Sequence, residues 1–228
     1  MDSNILYHSL YNDLKLRQDG TNAIQMQKYM RNLFPFFGIK ATQRREISYT
    51  YLRELKKEKT INWDFVFTCW AASERELQYI ALDYLKENKK KLTDLDIPNL
   101  EQLIRNKSWW DSIDYLDRII GNIALRHPHL NQMLLEWSLH PNFWYRRIAI
   151  DHQLDRKENT NTELLQEIIL NNLNQKEFFI NKAIGWSLRA YSKTNPKWVA
   201  DFIEKHQDSL SRLSISEGSK YIKHLSEN

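Results

Sequence analysis

Nearly every segment of this chain repeats its apolar residues with a helical period, and the helices themselves recur. Leu77, Ile80, Ala81, Tyr84 and Leu85 stand at i, i+3, i+4, i+7 and i+8, the spacing of a half-buried helix. Ala23, Met26, Met30 and Leu33 follow the same rule earlier in the chain. Ala81, Tyr115, Ala149 and Ala183 lie 34 residues apart in succession, and Glu76, Trp110, Trp144 and Phe178 stand five positions before them. A period in the thirties, filled by two helices, is the signature of an α-solenoid of the HEAT, armadillo or TPR kind. No alternating Val/Ile/Thr run reads as a strand. The expected fold is all-α: a solenoid of HEAT-like helical repeats with a concave basic face, one domain over residues 1–228.

Local signals mark helix boundaries. Ser73 with Glu76 three residues on has the capping-box pattern, and Thr93, Asn99 and Asn142 are further candidate caps. Pro98, Pro128, Pro141 and Pro196 fall where helices begin. Gly20 marks a turn, and Gly218 is expected to loosen the last helix.

Composition narrows the function classes. The 228 residues are 42% hydrophobic with 5 Gly and 5 Pro, enough for a real core and too few turn formers for a β-sandwich or a disordered chain. No apolar run approaches the ~20 residues that span a bilayer. Met1-Asp2-Ser3-Asn4 does not resemble a secretory signal, and the single Cys69 leaves no partner for an internal disulfide. These features fit a cytoplasmic protein, with Cys69 a packing residue in an apolar run. The formal net charge of +4 permits a nucleic-acid partner without requiring one. The histidines at 8, 127, 129, 140, 152, 206 and 224 form no HxxxH or H-E-x-x-H pattern, so no metal site is expected. There is no P-loop, GxGxxG or GxSxG either.

The segment Lys107-Ser-Trp-Trp-Asp-Ser-Ile-Asp114 carries the chemistry. Trp110 and Asp114 are four apart and share a helix face. A carboxylate beside an indole face suits a cationic substrate or transition state. The 34-residue column that holds Ile80 and Ile148 holds Asp114 in one unit and Lys182 in another. An acid at a position apolar in sister repeats is either paired or lines a cleft. The plain pairing is an i, i+4 bridge to Arg118, and Asp111 reads as a first-turn acid on the helix dipole. Two consecutive tryptophans cannot both face one core, which pushes Trp109 or Trp110 toward a cleft. Trp144–Arg147 and Trp186–Arg189 are i, i+3 pairs; with Trp110 they suit a groove for a polyanion with flat bases. Arg44-Arg45, Arg146-Arg147 and the lysines at 86 and 89–91 read as solvated faces, with phosphate contact the alternative.

These residues resemble a known family. Lys107–Asp114, then Gly121-Asn122 and His127-Pro128, look like the core motif of the AlkD-type DNA alkylation repair glycosylases. Lys176-Glu-Phe-Phe-Ile-Asn-Lys-Ala-Ile-Gly-Trp-Ser-Leu-Arg189 is similar to a second block, and Ser73–Asp83 and Phe37-Gly-Ile39 to others. The resemblance runs from about Tyr29 to the last helix. It implies a HEAT-like solenoid that excises cationic N3- and N7-alkylated purines from duplex DNA, without extruding the base as most glycosylases do. It also implies residue roles. Asp114 matches the catalytic acid, Trp110 and Trp186 the tryptophans against the damaged nucleotide's sugar, and Arg147 an arginine on the DNA backbone. Arg189 and Tyr29 would lie at the DNA surface, with Lys40, Arg44 and Arg45 as further contacts. Here the chain departs from the family: after Phe37-Gly-Ile39 it reads Lys40-Ala-Thr-Gln-Arg-Arg45 where relatives place Thr-Pro, so Thr42 becomes the candidate cap.

The implied chemistry needs no metal or cofactor. A cationic base leaves neutral, charge moves onto the sugar, and a carboxylate aimed there stabilises it. No dedicated amine nucleophile stands out, which implies a monofunctional, monomeric enzyme. The rivals are a non-catalytic HEAT-repeat DNA-binding protein and a protein-binding scaffold.

Overall fold

A computed structural model describes residues 3–222; His224 lies outside them. Among the described residues there are thirteen α-helices and no strand. They are α1 (Ser3–Leu16), α2 (Gly20–Tyr29), α3 (Ala41–Leu55), α4 (Trp63–Ala71), α5 (Arg75–Glu87), α6 (Ile97–Arg105) and α7 (Trp110–Arg126). Then come α8 (Leu130–Trp137), α9 (Phe143–Asp151), α10 (Thr162–Leu170), α11 (Phe178–Ser192), α12 (Pro196–His206) and α13 (Arg212–Gly218). No described helix is long and apolar enough to cross a membrane. Contacts divide the chain into two compact units, one ending at Asn99 and one beginning at Leu100.

The first unit packs α1 on α3 and α4, and α5 on α3 and α4. The apolar spacing read in α5 is its core: Leu77, Ile80, Ala81, Tyr84 and Leu85 are all fully buried. The second unit sets α7 against α9, α9 against α11, and α11 against α13, with α8, α10 and α12 packed on members of that row. In α7 the buried Ile113, Leu116, Ile120 and Ile123 repeat at helical spacing. Gly121 permits the α7–α9 contact: a Cβ there would stand 2.0 Å from the His152 carbonyl oxygen. Cys69 is buried, and burial pushes its thiol well above the usual range, so it behaves as a packing residue.

Several boundaries fall as the sequence indicates. Asn142 caps α9 by accepting from the Trp144 N–H at 3.0 Å. Thr93 closes a capping box with Asp96 at a short 3-10 turn, and Pro196 opens α12. Others do not. Asn99 lies inside α6, Thr42 is the second residue of α3, and Lys40 takes that helix's N-cap position without a side-chain bond. Gly20 is the first residue of α2, behind an Asp19 cap. Gly218 does not loosen its helix end but packs it: a Cβ would lie 3.0 Å from that of Leu188. The pattern from Ala23 to Leu33 is cut short because Arg31 and Asn32 adopt left-handed φ of 55° and 58°, leaving Leu33 exposed.

The Ser73–Glu76 box does not form. Glu76 is buried and turns away from its own helix start, accepting the N–H groups of Phe37, Gly38 and Ile39 at 3.1, 2.9 and 3.0 Å. Burial raises its carboxyl's pKa, and those three amides oppose the rise. Gly38 needs its freedom here: φ is +88°, and a Cβ would meet the Asp19 carbonyl oxygen at 2.0 Å.

Candidate active site

Three neighbouring helices of the second unit bring the sequence-derived residues together. Asp114 sits one turn into α7, Arg147 one turn into α9 and Trp186 midway along α11. Arg147 Nε donates to Asp114 Oδ1 at 2.8 Å, and Nη2 donates to Oδ2 at 3.0 Å. This forked pairing fixes the carboxylate in two directions at once. Arg147 Nη1 donates to the Phe179 carbonyl at 2.7 Å, and its guanidinium lies 5.0 Å from the Trp186 ring centroid. Lys182 and Arg189 place their charges 5.8 and 6.0 Å from the same ring. The Asp114 side chain keeps 20% of its surface exposed while that of Arg147 keeps 2%. The acid therefore faces the opening and the arginine lies behind it.

Two further carboxylates stand behind the pair. Asp151 Oδ2 is 3.8 Å from Arg147 Nη2, and its Oδ1 accepts from Ser187 Oγ at 3.3 Å. Asp117 lies 3.0 Å from Arg118 Nη1. The carboxylate oxygens of Asp114, Asp117 and Asp151 approach within 4.8 Å of one another. That spacing would suit a cation, and the guanidinium groups of Arg147 and Arg118 already supply one. Burial pushes the Asp151 carboxyl up to about 7, against the pull of Arg147 and with the push of Asp114. Burial also raises Asp117. Arg147 loses hydration on burial, yet Asp151 and Asp114 more than offset this and hold it charged.

The structure sorts the sequence candidates. Asp114 is not bridged to Arg118, which pairs instead with Asp117 and with Asp155 at 3.1 Å. Of the adjacent tryptophans, Trp109 packs edge-on against Trp144 and Phe179 at 6.0 and 5.4 Å. Trp110 opens α7, is half-buried, and shares a helix face with Asp114. Trp144 is 7% exposed and belongs to that aromatic cluster rather than to a groove. Asp111 occupies the first turn of α7 as expected.

The basic residues divide likewise. Arg147 and Arg44, read from sequence as DNA contacts, are 1% and 5% exposed. Each spends its charge on an acid: Arg44 Nη2 meets Asp83 at 3.1 Å under the Tyr79 ring. Arg45 and Lys40 are exposed, and Tyr29 is 71% exposed at the end of α2. Arg189 is half-exposed and donates to Glu217 at 2.6 Å. Glu217 also accepts from Lys182 and Lys220, each at 2.7 Å. Those lysines, Lys182 foremost, pull its carboxyl down to about 2.

Sequence reasoning missed Asp117 and Asp151. A signal was present: Asp83, Asp117 and Asp151 recur at the same 34-residue step as the alanine column. All three are buried.

Comparison with known proteins supplies the class. The family described as DNA alkylation repair enzyme matches residues 10–222. The chain belongs to that family. A solved structure described as "Predicted DNA alkylation repair enzyme from Enterococcus faecalis" is similar at 35% identity and a TM-score of 0.84, covering 90% of this chain and 97% of its own. No match was found among curated proteins.

Proposed function

We propose that the chain is a monofunctional DNA glycosylase that hydrolyses the N-glycosidic bond of cationic N3- and N7-alkylated purines in duplex DNA. The observation that carries this reading is Asp114: a partly exposed carboxylate locked in two directions by a buried arginine, whose guanidinium lies 5.0 Å from the Trp186 ring centroid. A cationic base weakens its own bond to C1′. When that bond breaks, its electron pair leaves with the base, which becomes neutral, and positive charge develops on the sugar. Asp114 meets that charge with a fixed negative one, and its position costs no reorganisation during the reaction. Water then attacks C1′ and gives up a proton, to Asp114 or to solvent. Trp110 and Trp186 flank the deoxyribose through their ring faces. The product is an abasic site.

Arg147 takes a different role from the one the resemblance implied. Its buried guanidinium positions Asp114 rather than gripping the backbone. Arg189, Tyr29, Lys40 and Arg45 remain proposed DNA contacts. The helix pairs are read as HEAT-like repeats forming one domain with a DNA-binding face. No step in this scheme draws on a metal or cofactor.

The test is base release from a duplex carrying one N7-methylguanine, wild type beside Asp114→Asn. Release by the wild type, slowed by about one to three orders of magnitude in the variant, is expected. Equal rates would refute the role of Asp114. No release with retained duplex binding would leave a non-catalytic DNA-binding relative, and neither activity would point to a protein-binding scaffold.

A further inference from the structure

Lys182 shares the 34-residue column of Asp114, and the proposed chemistry gives it no part. It stands one turn before Trp186 on α11, and Arg189 stands one turn after, so the three share a helix face. Three cations thus gather round the half-buried Trp186 ring: Arg147 at 5.0 Å, Lys182 at 5.8 Å and Arg189 at 6.0 Å from its centroid. A ring so surrounded is a poor seat for a cationic sugar. A lysine free to swing would compete for the ring's negative face, and its charge would repel the sugar's.

Each of the three is met by an acid. Arg147 pairs with Asp114. Glu217, on α13, takes the other two, one on each carboxylate oxygen: Lys182 Nζ donates to Oε1 at 2.7 Å and Arg189 Nη1 to Oε2 at 2.6 Å. Lys220 donates to Oε2 as well, at 2.7 Å. Gly185, the residue before Trp186, makes room for this arrangement. A Cβ there would lie 2.6 Å from that of Glu217, so α13 carries the carboxylate close against α11. With its carboxyl held at about 2, foremost by Lys182, Glu217 stays ionised at neutral pH. One carboxylate offsets one unit of the charge and fixes where the rest sits.

We infer that Glu217 is a positioning residue of the candidate active site: it holds Lys182 and Arg189 by their charged ends and offsets their charge, which leaves the face of Trp186 to a cationic sugar. The inference rests on the proposed glycosylase reading and deepens it, because it names what lets that site take a positive ligand among three cations. Glu217 acts through Lys182 and Arg189 rather than on the sugar itself.

The test measures how the full chain binds two short duplexes at one salt concentration. One carries a protonated pyrrolidine in place of a single deoxyribose ring, the other a neutral tetrahydrofuran ring. The ratio of the two affinities reads the site's preference for a cation and needs no base release, which is followed separately on an N7-methylguanine duplex. Glu217→Gln is expected to lower the ratio by about tenfold, the effect of one unit charge near the sugar in a partly solvated site. Its affinity for the tetrahydrofuran duplex is expected not to fall. Glu217→Gln/Lys182→Met should return the ratio to within about threefold of wild type, since the freed charge is gone. Asp201→Asn makes the same change in net charge by freeing the exposed Lys197 on α12, and should leave the ratio unchanged. Thermal unfolding confirms that each variant is folded. Should Glu217→Gln not fold, Glu217→Asp draws the charge back by one methylene, with a loss of about threefold expected. An unchanged ratio in the folded variant overturns the inference. Equal weakening on both duplexes overturns it too, because the role would then be structural only, as does an equal fall in Asp201→Asn. Wild type that prefers the cationic duplex, with Glu217→Gln no different, refutes the inference and leaves the glycosylase reading standing. Wild type with no such preference also refutes it, and if no base is released either, the glycosylase reading falls with it.

Discussion

Replacing Arg147 by methionine keeps most of the side chain's length and removes its charge. Asp114 then loses two hydrogen bonds of 2.8 and 3.0 Å, the Phe179 carbonyl loses one of 2.7 Å, and the buried Asp151 loses a cation 3.8 Å away. Breaking a buried ion pair from one side costs about 3–5 kcal/mol. Asp114 keeps a fifth of its side-chain surface in solvent, so water recovers part of that loss and the lower end, about 3 kcal/mol, is expected. In a chain of this size each kcal/mol moves the midpoint by about 2–4 °C, so Tm should fall by about 6–12 °C at neutral pH. The assay is thermal unfolding by circular dichroism. Adding Asp114→Asn to Arg147→Met should then recover part of the loss, because the acid left without a partner is gone. Base release should fall in Arg147→Met, but less far than in Asp114→Asn, since the carboxylate is still present though free to turn. A Tm within about 2 °C of wild type would refute the anchoring role. So would a double variant as unstable as the sum of the two single ones.

Two other outcomes follow from buried acids. In the fold Asp151 titrates near 7 against an ordinary 3.8, so its contribution to stability is full below about pH 4 and is lost as pH rises toward 7. Asp151→Asn removes that dependence. Wild type should therefore lose stability relative to the variant between those values, and parallel Tm curves would exclude the assignment. Glu76→Gln should destabilise the first unit by on the order of 3 kcal/mol, because one amide oxygen replaces a carboxylate that accepts three backbone N–H groups. Urea unfolding measures it, and a loss under about 0.5 kcal/mol would mean that the loop at 37–39 is held by something else.

What the sequence disclosed, and what it hid, divides along physical lines. Helical spacing is a local property, so the α5 core and the all-α class could be read directly. The 34-residue step located Asp114 as an acid in an apolar column. Partners are not local. Arg147 follows Asp114 by 33 residues, and nothing in the chain says whether its charge meets a carboxylate or a phosphate. The packing of α7 on α9 decides that. Glu76 shows the same failure in reverse. Its local pattern fitted a capping box, but three amides of a distant turn were better partners than its own helix start. Thr42 has the hydroxyl of a cap, while the chain caps α3 two residues earlier, at Lys40, on backbone geometry alone.

The α7–α9 contact at Gly121 has a bearing on how freely this protein can change. The distance between those helices is set by main chain against main chain, with the His152 carbonyl where a Cβ would be. The Arg156 guanidinium donates to the Gly121 carbonyl at 3.0 Å and holds the same contact from the side. Side chains elsewhere along the two helices can therefore be exchanged for others of similar bulk without altering how far Arg147 must reach for Asp114. A single methyl group at 121 would alter it, though that position holds no reactive atom. Tolerance to substitution in this unit is thus unevenly spread, and one of its least tolerant positions bears no side chain at all.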